Sequence, residues 1–189
     1  MRCDINIEEI LEDTPIIAAV KNHKELDSAL SSNSKVIFVL YGNILEIESI
    51  SKKIVEKDKI AIVHVDLIEG LASKEISIRF IKNRTSFHGI VTTKHSLVKI
   101  SKACGLYTIF RMFIFDSLSL DNAKKHISNE SDAIEILPGV IPKVIKSLSS
   151  MSEKPIIVGG LIESKNEVIE ALNSGATCVS TTYENIWNI

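Results

Sequence analysis

The feature that most constrains the fold of this chain is a repeated pattern of short apolar runs separated by amphipathic segments. Each run has four to seven residues and is dominated by aliphatic, mostly β-branched side chains, which is typical of a strand buried on both faces. The runs cover residues 15–20, 35–40, 59–65, 87–91, 106–110, 131–136, 155–158 and 176–179. Eight such runs predict eight strands of one parallel sheet.

The segments between the runs have the spacing of surface helices. Residues 163–174 place Val168, Ile169 and Leu172 on one side of a predicted helix, and Gly175 follows as a residue suited to a left-handed helix end. Residues 47–57 and 94–104 repeat this pattern. Because strands and helices alternate strictly, the strands are expected to be parallel and the crossovers right-handed.

Eight strand–helix units predict an α/β fold, a compact TIM-type (β/α)8 barrel with a parallel sheet. Such barrels usually have about 250 residues, with a lower bound near 200, whereas this chain has 189, or about 24 per unit. An open flavodoxin-like sheet needs only five strands and fits eight units less well. We therefore predict a single barrel domain over residues 1–189, in which residues 1–14 form an N-terminal extension.

Charge and cysteine content exclude several classes of protein. Lys and Arg number 22 and Asp and Glu 24, a net charge of −2, so no overall basic field indicates a nucleic-acid binder. Cys3, Cys104 and Cys178 form no C-x-x-C pair and are odd in number, which favours reduced thiols. The acidic N-terminus is unlike a signal peptide, and no apolar run is long enough for a membrane span. We predict a cytoplasmic protein.

In such barrels, functional residues lie at the carboxyl ends of the strands. There the chain carries one lysine, one arginine and three carboxylates facing one predicted mouth, Lys21, Arg111, Asp66, Glu69 and Glu135. Asp66 and Glu135 can act as acid and base, bind a divalent cation, accept ligand hydroxyls, or simply pair with the lysine or the arginine. His64, two residues before Asp66, is more consistent with a hydrogen-bonded core histidine than with a proton shuttle.

The last two units carry a candidate phosphate site. Gly159 and Gly160 follow the seventh strand, and Ser180 and Thr181 follow the eighth. Glycines let backbone N–H groups approach an anion and hydroxyls add donors, at the place where barrels often hold a phosphate. Each motif alone is also explained as a tight turn or a helix cap, but the two together favour phosphate binding.

Basic residues cluster in three of the predicted helices. The clusters are Arg79, Lys82 and Arg84; Lys94, Lys99 and Lys102; and Lys143 and Lys146. Each can be a patch that follows a phosphate backbone, although solvated helix faces more often explain such clusters.

Five motifs in register resemble one known family. They are His64-Val-Asp66-Leu-Ile-Glu69-Gly-Leu71, Arg111-Met-Phe-Ile-Phe-Asp116-Ser117, Glu135-Ile-Leu-Pro138-Gly139-Val-Ile-Pro142, Gly159-Gly160-Leu161-Ile162 and Val179-Ser180-Thr181. Over about residues 16–187, the chain resembles the glycerol uptake operon antiterminator family, the glycerol-3-phosphate-responsive antiterminators of bacteria. The chain departs from the family pattern at Phe110, Val158 and Thr182.

The resemblance implies a barrel that binds glycerol-3-phosphate as an effector and has no known catalytic activity. We expect no cofactor and no metal, although the sequence leaves open whether Asp66 and Glu135 bind a divalent cation. Such a protein acts on the leader mRNA of glycerol-utilisation genes and prevents premature termination. The resemblance also implies two groups of ligand-binding residues, Gly159, Gly160, Ser180 and Thr181 for the phosphate and Lys21, Asp66, Arg111 and Glu135 for the glycerol end.

Three functions remain open at this point. The first is a regulator in which glycerol-3-phosphate favours an RNA-competent form or a homodimer. The second is a small barrel enzyme, an isomerase, aldolase or phosphodiesterase acting on a triose or sugar phosphate through Asp66 and Glu135. The third is a binding barrel that has lost both chemistry and RNA recognition.

Overall fold

The computed structural model describes residues 6–127 and 130–189 of the chain. Within these ranges, eight parallel strands form a closed barrel in which every strand pairs with its neighbours in sequence and β8 pairs with β1. The strands are β1 (Ile16–Val20), β2 (Val36–Val39), β3 (Ile60–His64), β4 (Gly89–Thr92), β5 (Tyr107–Phe113), β6 (Ala133–Leu137), β7 (Ile156–Gly159) and β8 (Cys178–Thr181). The predicted parallel barrel is confirmed.

The described residues form eight α-helices, one before the barrel and seven after its first seven strands. They are α1 (Ile7–Asp13), α2 (His23–Ser31), α3 (Ile47–Val55), α4 (Glu75–Arg84), α5 (His95–Ala103), α6 (Ser117–His126), α7 (Pro142–Ser149) and α8 (Lys165–Asn173). Short 3-10 helices follow β3 (Val65–Leu67) and β8 (Glu184–Ile186). No helix of the described residues is long and apolar enough to cross a membrane.

The strands separate two apolar layers because their side chains alternate between the faces of the sheet. One set, represented by Ile17, Phe38, Ile62 and Ile109, fills the barrel interior. The alternate set packs between the sheet and the surrounding helices. The side chains of both layers are almost fully buried, which explains why the strands appear in the sequence as continuous apolar runs.

The N-terminal extension contributes a helix that covers one end of the barrel interior. Asn6 begins α1, and its side chain accepts a hydrogen bond from the backbone N–H of Glu9. Ile7 and Leu11 are buried in the interior cluster, so α1 covers the amino-terminal end of the barrel. The first five residues of the predicted extension, with Cys3, lie outside the described residues. The sequence pattern did not predict this helix.

One predicted helix face is wrong in detail. Val168 and Ala171 of α8 are buried, whereas Ile169, expected on the inner side, is 46% exposed. Successive helical residues point about 100° apart, so the turn that aims Val168 at the sheet aims its neighbour toward solvent. The left-handed glycine expected after α8 is present, with φ of +103° at Gly175, and Gly105 after α5 is also left-handed, with φ of +67°.

Candidate functional site

A polar layer lies above the apolar layers of the barrel interior, toward the carboxyl ends of the strands. Arg111, Glu135 and Ser180 each lie two residues beyond an interior position, those of Ile109, Ala133 and Cys178. Because side chains two residues apart in a strand share a face, all three point into the barrel. Three of the residues predicted for the ligand site therefore meet at one end of the barrel.

An ion pair and a hydroxyl organise this layer. Arg111 Nε donates to Glu135 Oε2 at 2.6 Å, and Ser180 Oγ donates to Glu135 Oε1 at 2.6 Å. Glu135 is fully buried and Arg111 is 8% exposed. Of the roles considered for this carboxylate, pairing with Arg111 is the one that the structure shows. A guanidinium has five N–H donors, so Arg111 retains donors that can face a ligand.

Gly159 makes room for this arrangement. A Cβ atom at this position would lie 2.2 Å from Ser180 Oγ and 3.2 Å from Glu135 Oε1. Real Cβ contacts are essentially never so short, so a side chain here would displace the serine that holds Glu135. In this structure, Gly159 acts through packing; its predicted contact with a phosphate stays a prediction.

The loop after β7 has an unusual backbone. Gly160 and Leu161 are both left-handed, with φ of +75° and +63°. This conformation is ordinary for glycine and uncommon for leucine, and Leu161 is also 67% exposed. The N–H of Gly139 donates to the carbonyl of Gly160 at 3.1 Å and joins this loop to the one after β6. Strained, exposed loop residues of this kind tend to occur at ligand sites.

A cavity of about 170 Å³ opens between the ends of β1, β5, β6, β7 and β8. Sites for drug-sized ligands usually measure about 300–1,000 Å³, so this cavity fits a smaller molecule. Five of the predicted site residues line it, Arg111, Glu135, Gly160, Ser180 and Thr181. Leu137, Leu161, Ile162, Glu163 and Tyr183 also line it, although none of them was predicted as a ligand contact. Their position at or shortly after the ends of β6, β7 and β8 was the available signal.

Thr181 connects the cavity to the C-terminal segment. Its Oγ1 donates to the carbonyl of Ile162 at 2.7 Å and accepts from the N–H of Tyr183 at 3.0 Å. Its carbonyl accepts a hydrogen bond from Nε1 of the buried Trp187 at 2.9 Å. The hydroxyl is thus already used within the protein, and Thr181 chiefly holds the loop in shape.

Two predicted glycerol-end residues lie outside this cavity lining. The Lys21 side chain is 55% exposed, and its Nζ lies 3.8 Å from the carboxylate of Glu25. Asp66 accepts hydrogen bonds from the hydroxyls of Thr92 and Thr93 and from the N–H of Thr93, at 2.7–3.1 Å. Asp66 therefore ties the loop after β3 to the loop after β4.

His64 is the last residue of β3 and is 3% exposed. Among the described residues, its Nδ1 has no hydrogen-bond partner, and Asp66 Oδ2 lies 4.0 Å away. Burial, and next to it the charge of Arg111, lower the pKa of His64 to about 4, against the opposing charges of Glu135 and Asp66. The histidine is buried as expected, but its Nδ1 lacks a hydrogen bond. A buried, unpaired polar atom beside the site is consistent with a polar ligand.

Other chemistry finds little support in the described residues. They contain no group of three or more His, Cys, Asp or Glu that could hold a metal ion, so the expectation of a metal-free site stays a prediction. Cys178 is buried inside the barrel, which raises the pKa of its thiol, and Cys104 is half-buried; both are free thiols.

Comparisons with known proteins identify the family. A family model described as glycerol-3-phosphate responsive antiterminator matches residues 16–187. The uncharacterized protein YgcP of Escherichia coli K12 is 41% identical over 181 residues, which cover 95% of each chain.

Two solved structures share both fold and family. The glycerol uptake operon antiterminator regulatory protein of Listeria monocytogenes 4b F2365 has a TM-score of 0.87 at 27% identity, covering 91% of this chain and 94% of that one. A glycerol uptake operon antiterminator-related protein of Thermotoga maritima MSB8 has a TM-score of 0.82 at 27% identity, covering 92% and 98%. Since the family model spans nearly the whole chain, this protein belongs to the glycerol-3-phosphate responsive antiterminator family.

Proposed function

We propose that this protein is a cytoplasmic regulator that binds glycerol-3-phosphate at the mouth of its barrel. In the proposed mechanism, the ligand-bound form acts on the leader mRNA of glycerol-utilisation genes and prevents premature termination. The observation that carries the proposal is the small cavity lined by Arg111, Glu135, Gly160 and Ser180 in a chain of the antiterminator family.

The phosphate end of the ligand is proposed to lie against the loops after β7 and β8. Backbone N–H groups of the left-handed pair Gly160 and Leu161 can approach an anion closely. Of the described residues, Arg111 is the only Lys or Arg that lines the cavity. It supplies positive charge and planar donors suited to a phosphate or hydroxyl.

The glycerol end is proposed to lie deeper, beside the ion pair. Glu135 can accept a hydrogen bond from a ligand hydroxyl, and the unpaired Nδ1 of His64 marks a further polar position. Arg111 and Glu135 carry this part of the proposal, because Lys21 and Asp66 do not line the cavity.

The enzyme hypothesis gains no support from the geometry. Both oxygens of Glu135 are engaged by Arg111 and Ser180, and Asp66 is held by two threonines. An acid and a base that act on one substrate must both face it, whereas Glu135 lines the cavity and Asp66 does not. Turnover of a sugar phosphate that is lost in Asp66→Asn would reverse this preference.

Ligand binding is tested by thermal unfolding with glycerol-3-phosphate, glycerol, inorganic phosphate and a panel of sugar phosphates. At a concentration of 100 times Kd, the specific ligand should stabilise the protein by about 2.7 kcal/mol. We expect this from glycerol-3-phosphate, with much smaller effects of glycerol or phosphate alone. Absence of stabilisation by every phosphate ester would contradict the proposed site.

Action on RNA is tested separately, with the transcribed leader of the glycerol-utilisation operon from the same genome. A ligand shifts a protein between two states only by binding one of them more tightly. We therefore expect tighter leader binding with glycerol-3-phosphate, by the roughly 5–150-fold typical of such coupling. Equal binding with and without the ligand, no stronger than to an unrelated RNA, would reject the regulatory function.

A further inference from the structure

The charges of this chain are distributed unevenly along its length. Residues 74–104 contain seven Lys or Arg and one Glu, a formal charge of +6, although the whole chain carries −2. The remainder of the chain therefore carries −8. The seven cations are Lys74, Arg79, Lys82, Arg84, Lys94, Lys99 and Lys102. A neighbouring stretch of equal length, residues 117–147, contains four cations and four anions and is neutral.

The fold brings three of these seven cations, Arg79, Lys82 and Lys99, to one surface. Helices α4 and α5 are neighbours on the outside of the barrel, and a groove of about 510 Å³ separates them. The charged residues that line it are Glu75, Arg79 and Lys82 from α4 and Lys99 from α5. Residues from two basic clusters that are separate in the sequence thus lie on the two walls of one concave surface.

The acidic groups nearby leave this groove positive. Glu75 pairs with Arg79 at 2.6 Å, but both side chains are more than half exposed, and such pairs are weak. Lys102, which is not among the residues that line the groove, pairs with Asp132. Lys82 Nζ donates to the carbonyl of Gly105 at 2.8 Å, which joins the end of α4 to the loop after α5.

We propose that the α4–α5 groove binds the phosphate backbone of RNA. The inference rests on the proposed function and adds the surface that the leader mRNA contacts. Lys and Arg on both walls can neutralise successive phosphates, and the net charge of −8 on the rest of the chain disfavours RNA binding elsewhere. The near-neutral net charge of the chain is then compatible with RNA binding, because the positive field is confined to one face.

The experiment compares two double variants with the same change in charge. Arg79→Gln/Lys99→Gln removes two cations from the groove, whereas Lys143→Gln/Lys146→Gln removes two exposed cations from α7. The probe is the fluorescently labelled leader transcript, and its anisotropy is measured with saturating glycerol-3-phosphate across a range of KCl concentrations. Ligand-induced thermal stabilisation serves as the check that both variants are folded and bind the ligand.

The expected difference follows from counterion release. Each phosphate contact to a single strand contributes about 0.7 to the slope of log K against log salt. The groove variant should therefore lose about 1.4 in slope and bind roughly 25-fold more weakly at 0.1 M salt, with the same loss for unrelated RNA. The α7 variant should bind within about twofold of the unmodified protein, because it removes no phosphate contact.

The possible outcomes separate this inference from the proposed function. If the unmodified protein binds the leader and both variants bind it with the same slope and affinity as the unmodified protein, the groove proposal is wrong and the regulatory function stands. An equal loss in both variants would also overturn the groove, because it indicates a diffuse electrostatic attraction. Failure of the unmodified protein to bind the leader at any ligand concentration would reject the proposed function, and the groove with it.

Discussion

The two ends of the barrel interior are built from the same eight strands but differ in chemistry. At the amino-terminal end, α1 places Ile7 and Leu11 against an apolar cluster. At the carboxyl-terminal end, the same strands carry Arg111, Glu135 and Ser180 around a small cavity. One end is closed by a helix and the other is open to a small molecule.

This difference shows how one pleated strand serves two purposes. Every second residue of a strand points into the barrel, so Ile109 and Arg111 lie one above the other on β5. The positions near the amino-terminal end, here called the lower end, stabilise the fold through apolar burial. The positions near the carboxyl-terminal end, the upper end, bury charged groups, which is unfavourable unless they are paired. The comparison predicts that substitutions at the lower end change stability alone, and that those at the upper end also change ligand binding.

The largest effect is expected from Glu135→Leu. This change leaves the buried Arg111 without its partner and should lower the free energy of unfolding by about 4 kcal/mol, measured by urea denaturation. The matched control is Arg111→Met/Glu135→Leu, which removes both charges and should regain most of that stability without regaining ligand binding. If Glu135→Leu alone were as stable as the unmodified protein, the ion pair would not be needed for stability at this end.

At the opposite end, Leu11→Ala should cost about 3 kcal/mol, because it opens a cavity beneath α1 at a fully buried position. Ile10→Ala, on the half-buried side of the same helix, is the control and should cost less. Calorimetric titration should give the unmodified Kd for glycerol-3-phosphate in both variants. A substantial change in that Kd would break the separation between the two ends.

The pKa of His64 predicts a pH dependence that belongs to the upper end. In the folded protein this pKa is about 4, whereas an unfolded histidine titrates near 6.5. Between these values the unfolded chain binds the additional proton, so stability is complete above about pH 6.5 and falls as the pH decreases toward 4. The loss should be about 2–3 kcal/mol by pH 4.5.

His64→Asn isolates this contribution, because the acidic groups titrate in both proteins. Urea midpoints measured from pH 7.5 to pH 4.5 should fall less steeply in the variant. If the urea midpoints of the two proteins fell equally with pH, His64 would not need to be neutral in the folded state.

The smallest change in stability is expected from Gly160→Val. The left-handed backbone at this position should cost a side chain about 1–2 kcal/mol, and we expect loss of the stabilisation by glycerol-3-phosphate, since valine would obstruct the approach of an anion to the backbone. Gly105→Val imposes similar strain at the other end of the barrel, where φ is +67°, and should leave ligand binding unchanged. Equal ligand binding in both variants would remove Gly160 from the phosphate site.

The sequence allowed accurate prediction of what depends on local pattern. The eight strands follow from β-branched apolar runs, and the positions of Arg111, Glu135 and Ser180 follow from their place near strand ends. The inward orientation of Ile169 was wrong, because a small rotation of α8 about its axis depends on contacts that no local pattern encodes. The packing of α1 was missed, since its apolar side fits the barrel only once the barrel exists.

The sequence by itself determined the alternation of strands and helices, and with it the closed parallel barrel and the end at which the polar residues lie. Those properties follow from side-chain periodicity, which acts over neighbouring residues. Only the tertiary structure decided that Glu135 joins Arg111 to Ser180, that Asp66 joins two loops, and that the cations of α4 and α5 line one groove. Each of these depends on residues far apart in the chain whose separation in space is set by barrel closure and helix packing.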